Sequence, residues 1–178
     1  VNFCAKAYPT VAPNHPDAPA LHVLGDFLRN GYLHRAIREQ GGAYGGGAGY
    51  HPDSGAFRFY SYRDPRLADT LADFDRALDW LQTHDHPARA LEEAILGVIG
   101  AIDKPGSPAG EAISAFFGTL FDRTPEQRRA YRRRVLEVTL DDLRRVAATW
   151  LQPGQARCAV LSDARTLTEQ ADWPIIAI

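Results

Sequence analysis

Arg38-Glu-Gln-Gly-Gly-Ala-Tyr44-Gly-Gly-Gly47 runs a charged helix end into glycine and delivers one tyrosine onto a glycine-paved strand. Gly41 and Gly42 stop a helix marked by Leu33 and Ile37, which leaves Arg38 in its last turn. From Ala43 to Tyr50 the pattern predicts a strand. Tyr44, Gly46, Ala48 and Tyr50 fall on one of its faces, and Ala43, Gly45, Gly47 and Gly49 on the other. The second face is almost bare. A strand face without side chains admits a close neighbour, either a packed helix backbone or a ligand, and spacing alone leaves both readings open.

Upstream, Val1, Phe3, Ala5 and Ala7 alternate with Asn2, Cys4, Lys6 and Tyr8, the mark of a half-buried strand. Asp17 is placed to cap a helix carrying Leu21, Leu24 and Leu28, which Gly31 is expected to interrupt. Downstream, His51-Pro-Asp-Ser-Gly55 turns the chain into a third strand, where Phe57, Phe59 and Ser61 alternate with Arg58, Tyr60 and Tyr62. Asp64-Pro65 reads as the start of a helix with the stripe Leu67, Leu71, Phe74, Leu78 and Leu81. Further helices carry Leu91, Ile95, Val98 and Ile102, then Ile113, Phe116, Phe117 and Leu120. Thr124-Pro-Glu-Gln127 forms a capping box, and Thr139 caps a helix with Leu140, Leu143, Ala147 and Trp150 on one side. Ala156–Leu161 reads as a last strand, and the apolar end Trp173–Ile178 is suited to docking. The order strand, two helices, hairpin, several helices, strand predicts an α+β, two-layer sandwich, a mostly antiparallel sheet with helices packed on one face. Arg58, Tyr60 and Tyr62, with Tyr44 or the glycines beside them, then line the other face, as a cavity wall or as a solvated surface.

Arginine stays cationic and offers a fork of donors, and a neutral tyrosine hydroxyl donates too. Neither is a natural general base. Together Arg38 and Tyr44 suit a polarised carbonyl or its oxyanion, and Gly45, Gly46 and Gly47 would let a substrate backbone approach. Other chemistries lack their residues. No G-K-[ST] follows the glycines as a phosphate-binding loop requires, and no G-x-G-x-x-G, G-x-S-x-G, H-x-x-E-H or H-E-x-x-H occurs. His84-Asp85-His86 lies in a proline-bounded loop, and the other histidines are scattered. Arg128, Arg129, Arg132, Arg133 and Arg134 make the one dense basic run. Glu126, Glu137, Asp141 and Asp142 interleave and flank it, as on a solvated helix face rather than a nucleic-acid surface.

Composition fits one globular domain of 178 residues, 45% hydrophobic and 24% charged. A net charge of −2 supplies no general attraction to nucleic acid or anionic membranes, and no apolar run is long enough to span a bilayer. Cys4 and Cys158, without a C-x-x-C partner, read as buried free thiols in a reducing compartment. The chain holds no methionine and opens in strand-like sequence, so it is expected to be a fragment of a longer polypeptide.

The stretches Leu33–Gly47, Phe59-Tyr-Ser-Tyr-Arg-Asp-Pro65, Leu91-Glu-Glu-Ala-Ile95, Asp103-Lys-Pro-Gly-Ser-Pro108 and Arg134-Val-Leu-Glu-Val-Thr139 resemble, in order, the last domain of the pitrilysin/insulinase superfamily of zinc metallopeptidases, in its presequence-protease-like branch. The resemblance implies a clamshell of two halves enclosing unstructured peptides. Zinc is held in the N-terminal half by an inverted H-x-x-E-H motif and a downstream glutamate, and the C-terminal half brings an arginine and a tyrosine to the substrate. By position these are Arg38 and Tyr44. All zinc ligands and the base are missing from this chain, so the expectation is a C-terminal part of a zinc endopeptidase that is inactive alone. The expected partners are a peptide substrate and the remaining domains of the same polypeptide. Cut from its half-shell, the fragment is expected to self-associate. Its alanine- and arginine-rich composition suggests a bacterial source and a cytoplasmic location. The superfamily also includes non-catalytic peptide-binding or scaffold members, an alternative that retention of both donors argues against.

Overall fold

The computed structural model describes residues 1–121, 123–170 and 174–176. The chain is an α+β sandwich whose four-stranded antiparallel sheet has the order β2-β3-β1-β4. The strands are β1 (Asn2–Pro9), β2 (Gly45–His51), β3 (Ala56–Asp64) and β4 (Arg157–Leu161). Helices α1 (Ala18–Leu28), α2 (Ala68–Thr83), α3 (Ala88–Ile102), α5 (Pro125–Leu136) and α6 (Leu140–Trp150) build the second layer, with α4 (Pro108–Leu120) outside it and a short α7 (Ala164–Gln170) after β4. Among the described residues β2 has no strand on its outer side, so it forms one edge of the sheet.

The core lies between the sheet and the helices. Phe59 sits at its centre, edge-on to Tyr8 (6.2 Å) and Phe57 (5.4 Å) and stacked on Phe74 of α2 (5.4 Å). Leu21, Leu24 and Leu28 from α1, Leu81 from α2 and Leu143 from α6 are fully enclosed around it. Helix α1 approaches β2 at backbone distance. A Cβ placed on Gly25 would lie 2.7 Å from the Cα of Gly49 and 3.3 Å from the Ala48 carbonyl.

Several expectations change on contact with the fold. Gly31 does not interrupt the first helix. The chain passes from α1 straight into a wider π-type segment, Arg29–Gln40, and Gly31 leaves room for the Trp80 ring, 2.5 Å from where its Cβ would stand. Asp17 stands at the N-cap of α1 as expected, but its side chain makes no capping hydrogen bond. Its carboxylate accepts from Trp150 Nε1 at 2.9 Å and pairs with Arg145 at 2.8 Å, tying the start of α1 to α6. Burial pushes its carboxyl up, but the Trp150 and Arg145 hydrogen bonds outweigh that and hold it below the usual carboxylate range. Helix α2 begins at Ala68, not at Asp64-Pro65, because Asp64 ends β3 with its side chain buried.

In β1 the set facing the helices is Asn2, Cys4, Lys6 and Tyr8, while Val1 and Phe3 are exposed. Lys6 carries its ammonium to Asp75 at the edge of that layer, at 2.5 Å, and the buried Asn2 amide donates to the Asp64 and Arg66 carbonyls at 3.1 Å each. Cys4 is a buried thiol, but Cys158 on the edge strand β4 is exposed. Of the terminal stretch, Trp173, Ala177 and Ile178 lie outside the described residues; Ile175 and Ile176 are exposed.

Candidate functional site on the open sheet face

The turn that joins the π-type segment to β2 brings Arg38 and Tyr44 to one end of the edge strand. Arg38 lies in the last helical turn, and its carbonyl accepts the Gly42 N–H at 3.1 Å, while the Ile37 carbonyl accepts the Ala43 N–H at 3.1 Å. Two glycines make this closure possible for different reasons. Gly42 has φ +78°, a left-handed conformation that costs glycine little. Gly41 lies against Arg66, whose guanidinium occupies the space a Cβ there would need. Arg66 in turn donates to the Ala36 carbonyl at 3.2 Å and to Asp73 at 3.1 Å, bolting the helix end to α2.

Strand β2 starts at Gly45, one residue after Tyr44 and two after the expected Ala43. Tyr44 is therefore not held to the face shared by Gly46, Ala48 and Tyr50. Those three look toward the helices, with Ala48 and Tyr50 buried and Gly46 packed on Ile37, 2.9 Å from its would-be Cβ. Tyr44 is 63% exposed, and its ring lies 5.7 Å from that of Tyr62 on the open face, with the Arg63 guanidinium 5.5 Å from its centre. Tyr50, by contrast, donates its hydroxyl to the Val11 carbonyl at 2.8 Å, and burial pushes its phenol up. Of these two tyrosines, Tyr44 is the one that presents its ring outward.

Gly45, Gly47 and Gly49 pair with Tyr62, Tyr60 and Arg58, so the bare face of β2 is the open face of the sheet rather than the one packed by helices. Side chains of β3 lie across it. A Cβ on Gly45 would meet the Tyr62 hydroxyl at 2.5 Å, and one on Gly47 would meet the Arg29 methylenes at 3.0 Å and the Tyr60 hydroxyl at 3.4 Å. Arg29, which no sequence pattern singles out, pairs with Asp26 at 2.8 Å. Arg38, Arg58 and Arg63 are exposed, and none forms an ion pair among the described residues. The open face thus offers Arg58, Arg63 and tyrosine rings, while Arg38 is exposed at the end of the π-type segment, and no hydrogen bond among the described residues joins it to Tyr44.

Arg63 is the second residue that the alternating pattern concealed. It follows Tyr62 outward instead of turning inward, at φ +49°, and the β1–β3 register shifts by one residue between Asn2 and Cys4. Ser61 and Asp64 are both buried on the helix side, three residues apart, which a regular strand cannot do, and the linear pattern carries no sign of it. Metal binding finds no matching geometry, since no three His, Cys, Asp or Glu side chains converge among the described residues. These residues do not fit a zinc ion.

Comparison with known proteins gives a consistent picture. The family described as "PreP C-terminal domain" matches residues 1–157. The mitochondrial presequence protease of Yarrowia lipolytica is 39% identical over 177 residues, 99% of this chain and 18% of its own length. That of Drosophila melanogaster is 43% identical over 145 residues, 80% of this chain and 14% of its own. The chain therefore spans under a fifth of the curated relatives it matches. Among solved structures, a protease from Helicobacter pylori superposes with a TM-score of 0.72 at 17% identity, over 91% of this chain and 41% of that one. A peptidase M16 inactive domain from Pseudomonas fluorescens gives 0.67 at 16% identity, over 89% and 40%. Pitrilysin gives 0.62 at 16% identity, over 89% and 18%.

Proposed function

The chain belongs to the PreP C-terminal domain family, and from that premise we propose that it is the C-terminal part of a zinc-dependent endopeptidase that degrades unstructured peptides inside a closed chamber. Arg38 and Tyr44 orient the peptide, and the Tyr44 hydroxyl and the Arg38 guanidinium donate to the scissile carbonyl as negative charge develops on its oxygen. The observation that carries this reading is that both side chains are exposed and close in sequence, Arg38 at the start of the turn closed by the Gly42 N–H on its own carbonyl and Tyr44 two residues beyond that turn. Preorganised donors of this kind need no rearrangement when charge appears, and that is their advantage over water. The strand backbone at Gly45, Gly46 and Gly47 runs directly beyond Tyr44 and is proposed to bound the substrate path.

Zinc and the base that activates water are proposed to lie in another part of the intact polypeptide. Relatives named as proteases are several times longer than this chain, in keeping with that division. The chain alone should therefore be inactive. With zinc and a quenched fluorogenic peptide it is expected to show no hydrolysis above buffer, and turnover abolished by chelation would overturn the incomplete-site reading.

The remaining domains are the proposed partners of an apolar surface on α4. None of the described α4 residues is buried, and Ile113, Phe116, Phe117 and Leu120 all stand exposed beside Phe121. Such a patch on an isolated piece favours self-association. Light scattering is expected to show a mass that rises with concentration; a monomer at every concentration tested would count against it. The Yarrowia and Drosophila relatives are named as mitochondrial, which does not favour the cytoplasmic expectation. No helix among the described residues is long and apolar enough to cross a membrane.

A further inference from the structure

We infer that Arg63 is a positioning residue for Tyr44, and that the bulge which carries it exists to place Tyr62 and Arg63 together against the Tyr44 ring. This rests on Tyr44 acting as the donor proposed above.

The bulge is imposed from the helix side. The Asp64 carboxylate accepts from Thr70 Oγ1 at 2.8 Å and from the Arg66 amide at 2.9 Å, and its carbonyl accepts from Asn2 Nδ2 at 3.1 Å. Ser61 is buried on the same side, 3% exposed. With Asp64 held inward by these bonds and Ser61 buried on the same side, the two residues between them both go outward, and one takes a left-handed backbone to do so. Arg63 is the one described non-glycine residue with positive φ. A side chain in that conformation carries strain, which persists where the surroundings over-determine it and which clusters at functional sites.

The strained backbone gives one exposed phenol a defined environment. The Arg63 carbonyl accepts the Tyr44 N–H at 3.3 Å, its guanidinium stands 5.5 Å from the Tyr44 ring centre, and the Tyr62 ring lies 5.7 Å away, tilted by 57°. A regular strand would have turned residue 63 toward the core and left Tyr44 with Tyr62 alone. An exposed tyrosine ring otherwise samples its rotamers freely, and a donor that must be found in one place at the transition state loses rate for every rotamer that points elsewhere. Cation–π contact between guanidinium and ring, together with the aromatic neighbour, restricts that sampling. Glycine would serve the backbone conformation better than arginine, so the presence of arginine at this position needs its side chain as the reason.

The test is a double-mutant cycle in the intact peptidase, using a fluorogenic peptide and separating kcat from KM. Arg63→Gly is the informative variant because glycine accepts φ +49° without strain, so the bulge and the fold are retained. The expected result is a fall in kcat of about tenfold with KM changed by less than about twofold, partly restored by Arg63→Lys, which keeps a cation near the ring. In a Tyr44→Phe background the same Arg63→Gly change should alter kcat by less than about twofold, because the hydroxyl it positions is gone. Equal factors in both backgrounds would show that Arg63 acts independently of Tyr44 and would overturn the inference. If Tyr44→Phe costs activity while Arg63→Gly does not, this inference alone falls. If Tyr44→Phe itself leaves kcat unchanged, the functional reading of Tyr44 falls and takes this one with it.

Discussion

Replacing Tyr44 by phenylalanine in the intact peptidase is expected to lower kcat/KM by about a hundredfold or more, the usual consequence of removing one preorganised oxyanion donor. The ring and its contacts with Tyr62 and Arg63 remain, so the loss isolates one hydroxyl. Stability should hardly change. Tyr44 is 63% exposed and lies outside the core, and its hydroxyl makes no hydrogen bond among the described residues. Most of the effect should appear in kcat, since an interaction made only at the transition state leaves substrate binding alone. Unchanged kinetics, with thermal unfolding also unchanged, would remove Tyr44 from the mechanism.

Gly25→Val is expected to damage the fold strongly. Even a single Cβ at this position would stand 2.7 Å from the Gly49 Cα, and its nearest neighbours are backbone atoms that cannot rotate away. Valine adds two methyl groups to that clash, so α1 and β2 must separate. Overpacking of this kind costs about 3 kcal/mol, the upper part of the usual range, and should lower Tm by about 2–4 °C for each kcal/mol in a chain of this size. Separation would also displace the turn that holds Arg38 and Tyr44, because β2 leaves it directly and α1 runs into the π-type segment that enters it. Gly49→Ala is the matching control, since a Cβ at Gly49 meets nothing within 4 Å and projects from the open face. Comparable unfolding midpoints for the two variants would show that the close approach of α1 to β2 does not govern stability.

The glycine run shows both the reach and the limit of the linear pattern. A helix end at Gly41-Gly42, a strand after it and a hairpin through His51–Gly55 were all legible, because end signals, alternation and turn residues are local properties. The faces were not. Tyr44 precedes the strand instead of belonging to it, so its direction follows from the Gly42 turn and from the Arg63 carbonyl that receives its N–H, not from the period of two. The same limitation concealed the start of α2. Asp64-Pro65 is a fair helix opening in isolation, but the Asp64 side chain is claimed by Thr70 and the Arg66 amide, which keeps it in β3 and delays the helix to Ala68.

From the chain alone came the α+β class, the antiparallel hairpin and the Thr124 and Thr139 caps. Each depends on residues close in sequence, where the chemistry of neighbours decides the conformation. Tertiary contact alone decided which face of β1 is buried, that Tyr62 and Arg63 both point outward, and that the glycine face of β2 is the open one. The reason is physical: burial is a property of what arrives from elsewhere in the chain. Asn2, Thr70 and Arg66 hold Asp64 inward from outside the strand, and nothing within β3 announces them.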